Sequence, residues 1–282
     1  MPGSNARALE KARGLPADAV VLDLEDSVAP EYKDAARKQV VDAVAARGFG
    51  AREVAIRING LDTSWWLEDV DAAVKSQPDA ILIPKITGPD QLSALADRLI
   101  DIGADHKIRV WAMIETPRAL LQIAQIAASS TDVEMRLSVL VVGTNDIARE
   151  ARVPMVPGRA PMVPWLMDCV LAAHAYGLDI LDGVYNDLAD AEGFARECAQ
   201  GRNMGFDGKS LIHPNQIEPC NAVFSPSEEE IADARKIIAA FDLPENKDKG
   251  VVALDGRMVE RLHGEMARRT VAMAEAIAQT RS

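Results

Sequence analysis

Two carboxylates stand out because each closes a strongly apolar run: Glu115 after Ile108–Ile114, and Asp146 shortly after Leu137–Val142. A carboxylate at the end of a buried strand is costly to desolvate unless a cation or hydrogen-bond donors meet it. Two carboxylates completed by water and substrate oxygens suit Mg2+, whereas zinc prefers His and Cys. Structural roles compete with this reading. Glu115 can be an N-terminal charge on the helix opened by Thr116-Pro117, and Asp146 a turn residue after Gly143-Thr144-Asn145. Arg57 lies inside Val54-Ala55-Ile56-Arg57-Ile58-Asn59, on the face opposite Ile56 and Ile58. A buried guanidinium demands anions, either Glu25 or Asp26 as structural partners or a substrate carboxylate held bidentately. The substrate-facing role is favoured, which leaves Glu25 and Asp26 to support Arg57 or to reach the metal through water. Lys85 invites a Schiff-base reading, but the carboxylate pair favours metal chemistry and gives Lys85 a structural ion pair. His213, before Pro214, could act as a base; an imidazole packed at a strand end is the commoner case.

The elements that must position these residues are legible as short aliphatic runs. They are Ala19–Leu24, Glu53–Ile58, Ala80–Ile83, Ile108–Ile114, Leu137–Val142, Leu178–Leu181 and Phe206–Ile212. Most lack polar alternation, as parallel strands buried on both faces do. Amphipathic helices are predicted between them, opening at Pro30-Glu31, Pro89-Asp90 and Thr116-Pro117, with Asn186 capping a fourth. No GxGxxG or GxxxxGK[ST] follows any run, which weakens a nucleotide-binding sheet. The pattern predicts a (β/α)8 barrel whose first strand, expected just before Pro2, is truncated. In such a barrel the active site forms at the C-terminal strand ends. Here those ends carry Glu25 and Asp26, Arg57 and Asn59, Lys85, Glu115, Asn145 and Asp146, Tyr185 and Asn186, and His213. Four prolines, at 154, 157, 161 and 164, mark a stiff loop beyond Asp146 that either covers the site or merely connects elements. The division expected is a catalytic barrel over 1–225 and a helical lid or oligomerisation arm over 226–282, the latter beginning at Ser227-Glu228-Glu229-Glu230.

Composition narrows the partners. The 282 residues carry a formal net charge of −12, so nucleic acid and anionic membrane are repelled. Aromatic residues make up only 4% of the chain, too few for a base-stacking surface. Three cysteines without CxxC spacing make a disulfide framework or zinc site improbable. No apolar run reaches the ~18 residues of a membrane span, and no signal peptide is recognisable. A soluble cytoplasmic protein is expected.

The chemistry-bearing blocks also occur in a telling order. They are Pro2-Gly3-Ser4-Asn5 with Glu10-Lys11-Ala12, Leu22-Asp23-Leu24-Glu25-Asp26, Arg57-Ile58-Asn59-Gly60, Leu82-Ile83-Pro84-Lys85 and Ile114-Glu115-Thr116-Pro117-Arg118. Gly143-Thr144-Asn145-Asp146, Asp182-Gly183-Val184-Tyr185-Asn186, Ile212-His213-Pro214 and Leu254-Asp255-Gly256-Arg257 follow. Together they resemble the HpcH/HpaI aldolase and citrate lyase superfamily, in its citrate lyase β-subunit-like branch of CoA-ester lyases. The resemblance implies Mg2+ on Glu115 and Asp146, Arg57 on the substrate, and Lys11 facing the CoA phosphates. It also implies a homotrimer, or a multiple of trimers, in which Asp255 enters a neighbour's site as an acid/base. The implied reaction is reversible cleavage of a 3-hydroxyacyl-CoA, such as malyl-, methylmalyl- or citramalyl-CoA, into an acyl-CoA and glyoxylate or pyruvate. Asn5 stands where malyl-CoA lyases tend to carry arginine. The alternatives are a citrate lyase β subunit acting on a citryl thioester, a CoA-independent pyruvate aldolase, and a non-catalytic ligand-binding barrel.

Overall fold

The computed structural model describes residues 1–280. Seven strands form one parallel sheet in sequential order: β1 (Ala19–Asp23), β2 (Glu53–Arg57), β3 (Ala80–Ile83), β4 (Arg109–Ile114), β5 (Leu137–Val142), β6 (Asp179–Asp182) and β7 (Gly208–Lys209). Six lie within the predicted runs, β6 extends one residue past its run to Asp182, and β7 is reduced to two residues. Before β1, Met1 to Gly3 run along its free edge. Pro2 forms a parallel bridge with Asp23, Asp23 N–H donates to the Met1 carbonyl at 2.8 Å, and Gly3 N–H donates to the Asp23 carbonyl at 2.8 Å.

The strands from β1 to β5 bury most of both faces, which is why their interiors are largely aliphatic. One face gathers Ala55, Ala80, Leu82, Trp111, Val139 and Val141, with Ala19, Val21, Met113 and Leu181 packed against them. The other face buries Leu22, Ile56, Ile81, Ile83 and Ala112 completely. Full burial of each large aliphatic side chain stabilises the fold by about 1.5–3 kcal/mol. The sheet is curled. In a flat sheet the ends of β1 and β5 would stand roughly 19 Å apart, four strand spacings. Here Glu25, beyond β1, and Asp146, beyond β5, lie 3.7 and 3.0 Å from the same Lys85 ammonium.

The helices are α1 (Ala6–Ala12), α2 (Lys33–Ala45), α3 (Trp66–Ser76), α4 (Pro89–Asp101), α5 (Pro117–Leu121), α6 (Ile123–Ala128), α7 (Thr144–Ala151), α8 (Val163–Ala175) and α9 (Ala191–Met204). Local chemistry sets their starts. Pro89 and Pro117 occupy first-turn positions where a missing N–H costs nothing, and the Thr116 side chain accepts from Ala119 N–H. Asn5 caps α1 by accepting from Ala8 N–H at 3.1 Å. Asn186 does not cap a helix, contrary to the sequence expectation. Asp190 caps α9 by accepting from Gly193 N–H, and Asn186 is drawn instead into a side-chain pair with Asn145.

The proline-rich loop between α7 and α8 is pinned rather than loose. Arg159 Nη1 meets Asp182 Oδ1 at 2.6 Å, and Gln200 donates to the Gly158 carbonyl. Lys209 joins the same buried cluster through Asp182 and Glu197.

The chain forms two compact units, the first spanning Met1–Cys220 and the second beginning at Asn221; α10 (Ile217–Phe224) carries the chain from one to the other. The second unit contains α11 (Glu228–Asp242), an antiparallel hairpin of β8 (Val251–Leu254) and β9 (Arg257–Glu260), and α12 (Arg261–Thr280). Ser227 and Glu230 make a reciprocal capping box at the start of α11. Phe241, Val252 and Val259 form this unit's own core. Asp255 and Gly256 turn the hairpin with φ of 50° and 78°, the left-handed pair that a tight two-residue loop requires. Among the described residues no helix is long and apolar enough to cross a membrane. The cysteines Cys169, Cys198 and Cys220 are free and buried.

Candidate active site

The C-terminal ends of β1 to β5 converge on one cluster. Lys85, just beyond β3, places its Nζ 3.0 Å from Asp146 Oδ2, 3.1 Å from Asp26 Oδ2, 3.7 Å from Glu25 Oε1 and 3.8 Å from Glu115 Oε2. The structural ion pair expected for Lys85 is therefore a fourfold one. Burial works against its charge, but the surrounding carboxylates outweigh burial and hold its pKa well above the ordinary lysine value.

Glu115 is the most deeply buried of these carboxylates, at 1% exposure. Its Oε1 accepts from the Lys85 backbone N–H at 2.8 Å, while its Oε2 accepts no hydrogen bond. Burial pushes the carboxyl up to about 7, with the Lys85 ammonium and N–H acting in the opposite direction. Gly143 makes room for it. A Cβ at that position would fall 2.6 Å from Glu115 Cβ and 2.7 Å from Oε2. Asp146 lies in the first turn of α7, and its second oxygen is held by Arg149 Nη2 at 2.5 Å. An orphaned carboxylate oxygen in a cradle kept clear by glycine, with a second carboxylate on the same Lys85 ammonium, fits a hard divalent cation. Among the described residues no three His, Cys, Asp or Glu side chains form a complete metal cage. A cation held by two carboxylates alone would keep positions for water and substrate oxygens.

Arg57 faces the inner side of the curl, but its principal partner is Asp23 rather than Glu25 or Asp26. Nε and Nη2 grip the two Asp23 oxygens at 2.6 Å each, while Nη1 meets Glu25 Oε2 at 3.0 Å. Burial alone would raise the Asp23 carboxyl; the Arg57 fork overrides it and holds Asp23 at about 2. Asp23 was missed in the sequence. Its role depends on register, which residue type does not reveal: Asp23 pairs directly with Arg57 across β1 and β2. Asp23 also accepts from Glu25 N–H and Ser27 N–H, and Lys33 Nζ donates to the carbonyls of Leu24 and Glu25. The turn that presents Glu25 and Asp26 is thus fixed from both sides. Burial raises the Glu25 pKa, whereas Lys85 keeps that of Asp26 low against a smaller burial cost in this more exposed position.

The Asp23–Arg57 pair carries a testable pH signature. Asp23 ionises at about 2 when folded against 3.8 unfolded, so its stabilisation is complete above pH 4 and disappears between pH 4 and 2. Asp23→Asn should cost about 3 kcal/mol at pH 7, because it strands a buried guanidinium. In urea titrations the gap to wild type should shrink below pH 4; a gap independent of pH would refute this assignment.

Other strand-end residues serve the scaffold. Asn59 donates to Asp69, which Arg37 also holds. Tyr185 donates to Asp190, and His213 Nδ1 accepts from Asn215 N–H as a cap. Lys11 is exposed on the last turn of α1. Asp255 is exposed at the hairpin tip of the second unit, 3.7 Å from Lys236.

The ionisable residues gather at the carboxyl ends of the parallel strands, where βα-barrel enzymes place their active sites. Residues 1–214 match the model of the HpcH/HpaI aldolase/citrate lyase family. A (3S)-malyl-CoA thioesterase of Cereibacter sphaeroides is 48% identical over 282 residues, covering 100% of this chain and 95% of the relative. Citrate lyase subunit beta of Leuconostoc mesenteroides subsp. cremoris is 33% identical, covering 98% and 92%. Among solved structures, CitE from Mycobacterium tuberculosis in complex with magnesium, acetoacetate and coenzyme A superposes with a TM-score of 0.76 at 28% identity, covering 96% of each chain. The chain belongs to the HpcH/HpaI aldolase/citrate lyase family, and it is an enzyme of that family.

Proposed function

We propose that the protein is an Mg2+-dependent carbon–carbon lyase that reversibly cleaves a 3-hydroxyacyl-CoA bearing a carboxylate beside its carbinol carbon. The observation that carries this reading is the buried, unbonded Glu115 Oε2, which shares the Lys85 ammonium with the Asp146 carboxylate at 3.8 and 3.0 Å. Glu115 and Asp146 would hold the cation, which when bound supplies Lewis-acid polarisation and fixed positive charge. Arg57, clamped by Asp23, contributes a guanidinium whose position is set before substrate arrives. A preorganised positive charge of this kind stabilises negative charge as it develops on substrate oxygens without reorganising. Glu25, between Arg57 and Lys85, keeps both cations oriented. Asp255 of a neighbouring subunit would exchange a proton with the carbon alpha to the thioester, and Lys11 would meet the CoA phosphates. That role makes residues from Asn221 onward an oligomerisation and lid arm of a homotrimer or its multiple. Parallel segments from Met1–Gly3 through β7 supply the eight staves of a closed (β/α)8 barrel in this reading.

A second reading is thioester hydrolysis, favoured by the thioesterase relative at 48% identity. Malyl-CoA would be a substrate under either reading. The test incubates malyl-, citramalyl- and citryl-CoA with Mg2+ or with chelator and follows keto-acid release. Metal-dependent release supports the lyase; its absence with every thioester, in folded protein, overturns it.

A further inference from the structure

The proposed metal ligands do not stand empty of charge, because Lys85 already lies among them. Its single ammonium is within 3.8 Å of four carboxylates drawn from three different strand ends. The backbone contributes too. Lys85 has φ of 52°, in the left-handed region that a residue with a Cβ occupies only at some backbone cost. That conformation accompanies a double hold on Glu115: the Lys85 N–H bonds Oε1, and the ammonium stands 3.8 Å from the unbonded Oε2. Glu115 is nine-tenths buried and more, so its free oxygen has no solvent to turn to.

We infer that the Lys85 ammonium is a tethered cation that competes with the divalent metal for the Glu115–Asp146 pair and withdraws when the metal binds. Two cations cannot share one pair of carboxylates at these distances without strong repulsion. Lys85 has somewhere to go. Asp26, at 3.1 Å, has a side chain 59% exposed and belongs to no metal-ligand pair, so the ammonium can keep one carboxylate while releasing the others. The tether offsets part of the cluster's negative charge in the metal-free protein and sets how tightly the metal is held. This rests on the assignment of Glu115 and Asp146 as ligands.

The test is calorimetric titration of full-length protein with Mg2+ alone, paired with thermal melts in chelator and in Mg2+. Lys85→Met keeps the aliphatic stem and the backbone N–H but removes the charge. It should bind Mg2+ about tenfold tighter or more, melt lower than wild type in chelator, and gain more from added metal. Lys85→Arg, which retains the charge, should stay near wild-type affinity; Lys85→Gln repeats the neutral test should the methionine variant misfold. Equal or weaker Mg2+ binding by the neutral variants overturns the competition. Glu115→Gln and Asp146→Asn separate the two ideas. If both leave Mg2+ affinity unchanged, the ligand assignment fails and this inference with it. If both abolish binding while Lys85→Met changes nothing, only the tether fails.

Discussion

Glu115→Gln is expected to abolish Mg2+ binding and to lower turnover at least about 10³-fold, equivalent to roughly 4 kcal/mol of transition-state stabilisation. The substitution changes little else. The amide oxygen can still accept from the Lys85 N–H, and the side chain retains its volume in the cradle beside Gly143. Thermal melts in chelator should therefore show a folded protein, while calorimetry registers no metal. Turnover within tenfold of wild type would remove Glu115 from the site.

Asp255→Asn should reduce turnover about 10²–10⁴-fold, the range lost with a general acid or base, and leave Mg2+ affinity unchanged. Asparagine is the informative choice because position 255 needs positive φ, which asparagine tolerates and alanine does not. If Asp255 serves a neighbour, hetero-oligomers co-expressed from Asp255→Asn and Glu115→Gln subunits should recover activity that neither variant has alone. Each defect then falls in a different site, and some sites receive two intact contributions. Full activity of Asp255→Asn, or no recovery on mixing, would place proton transfer elsewhere.

Much of this site was readable from residue type and strand position alone. Val-, Ile- and Leu-rich runs announce two-sided burial, so the strands, and hence Glu115, Lys85 and Glu25 just beyond three of them, could be located by pattern. The pairing of Arg57 with Asp23 could not, because it depends on which residues two parallel strands place opposite each other. Both acids beyond β1 were plausible partners until that register was known. Asn186 misled for a related reason. Its capping propensity is real, but Asp190 lies immediately before α9, and Asn145 reaches Asn186 only because the ends of β5 and β6 are adjacent. The pinning of the proline-rich loop by Arg159 likewise depends on Asp182, 23 residues away in sequence. Its prolines signalled stiffness; only tertiary structure shows what holds it.

The most direct test of the central claim is the identity of the acyl group left on coenzyme A. Folded protein with Mg2+ is given malyl-CoA, and products are followed by mass spectrometry within the first turnovers. Carbon–carbon cleavage predicts acetyl-CoA and glyoxylate in equal amounts, with the thioester intact and no product in chelator. Free coenzyme A and malate appearing at the rate of substrate loss, without acetyl-CoA, would contradict the lyase and establish the hydrolase in its place.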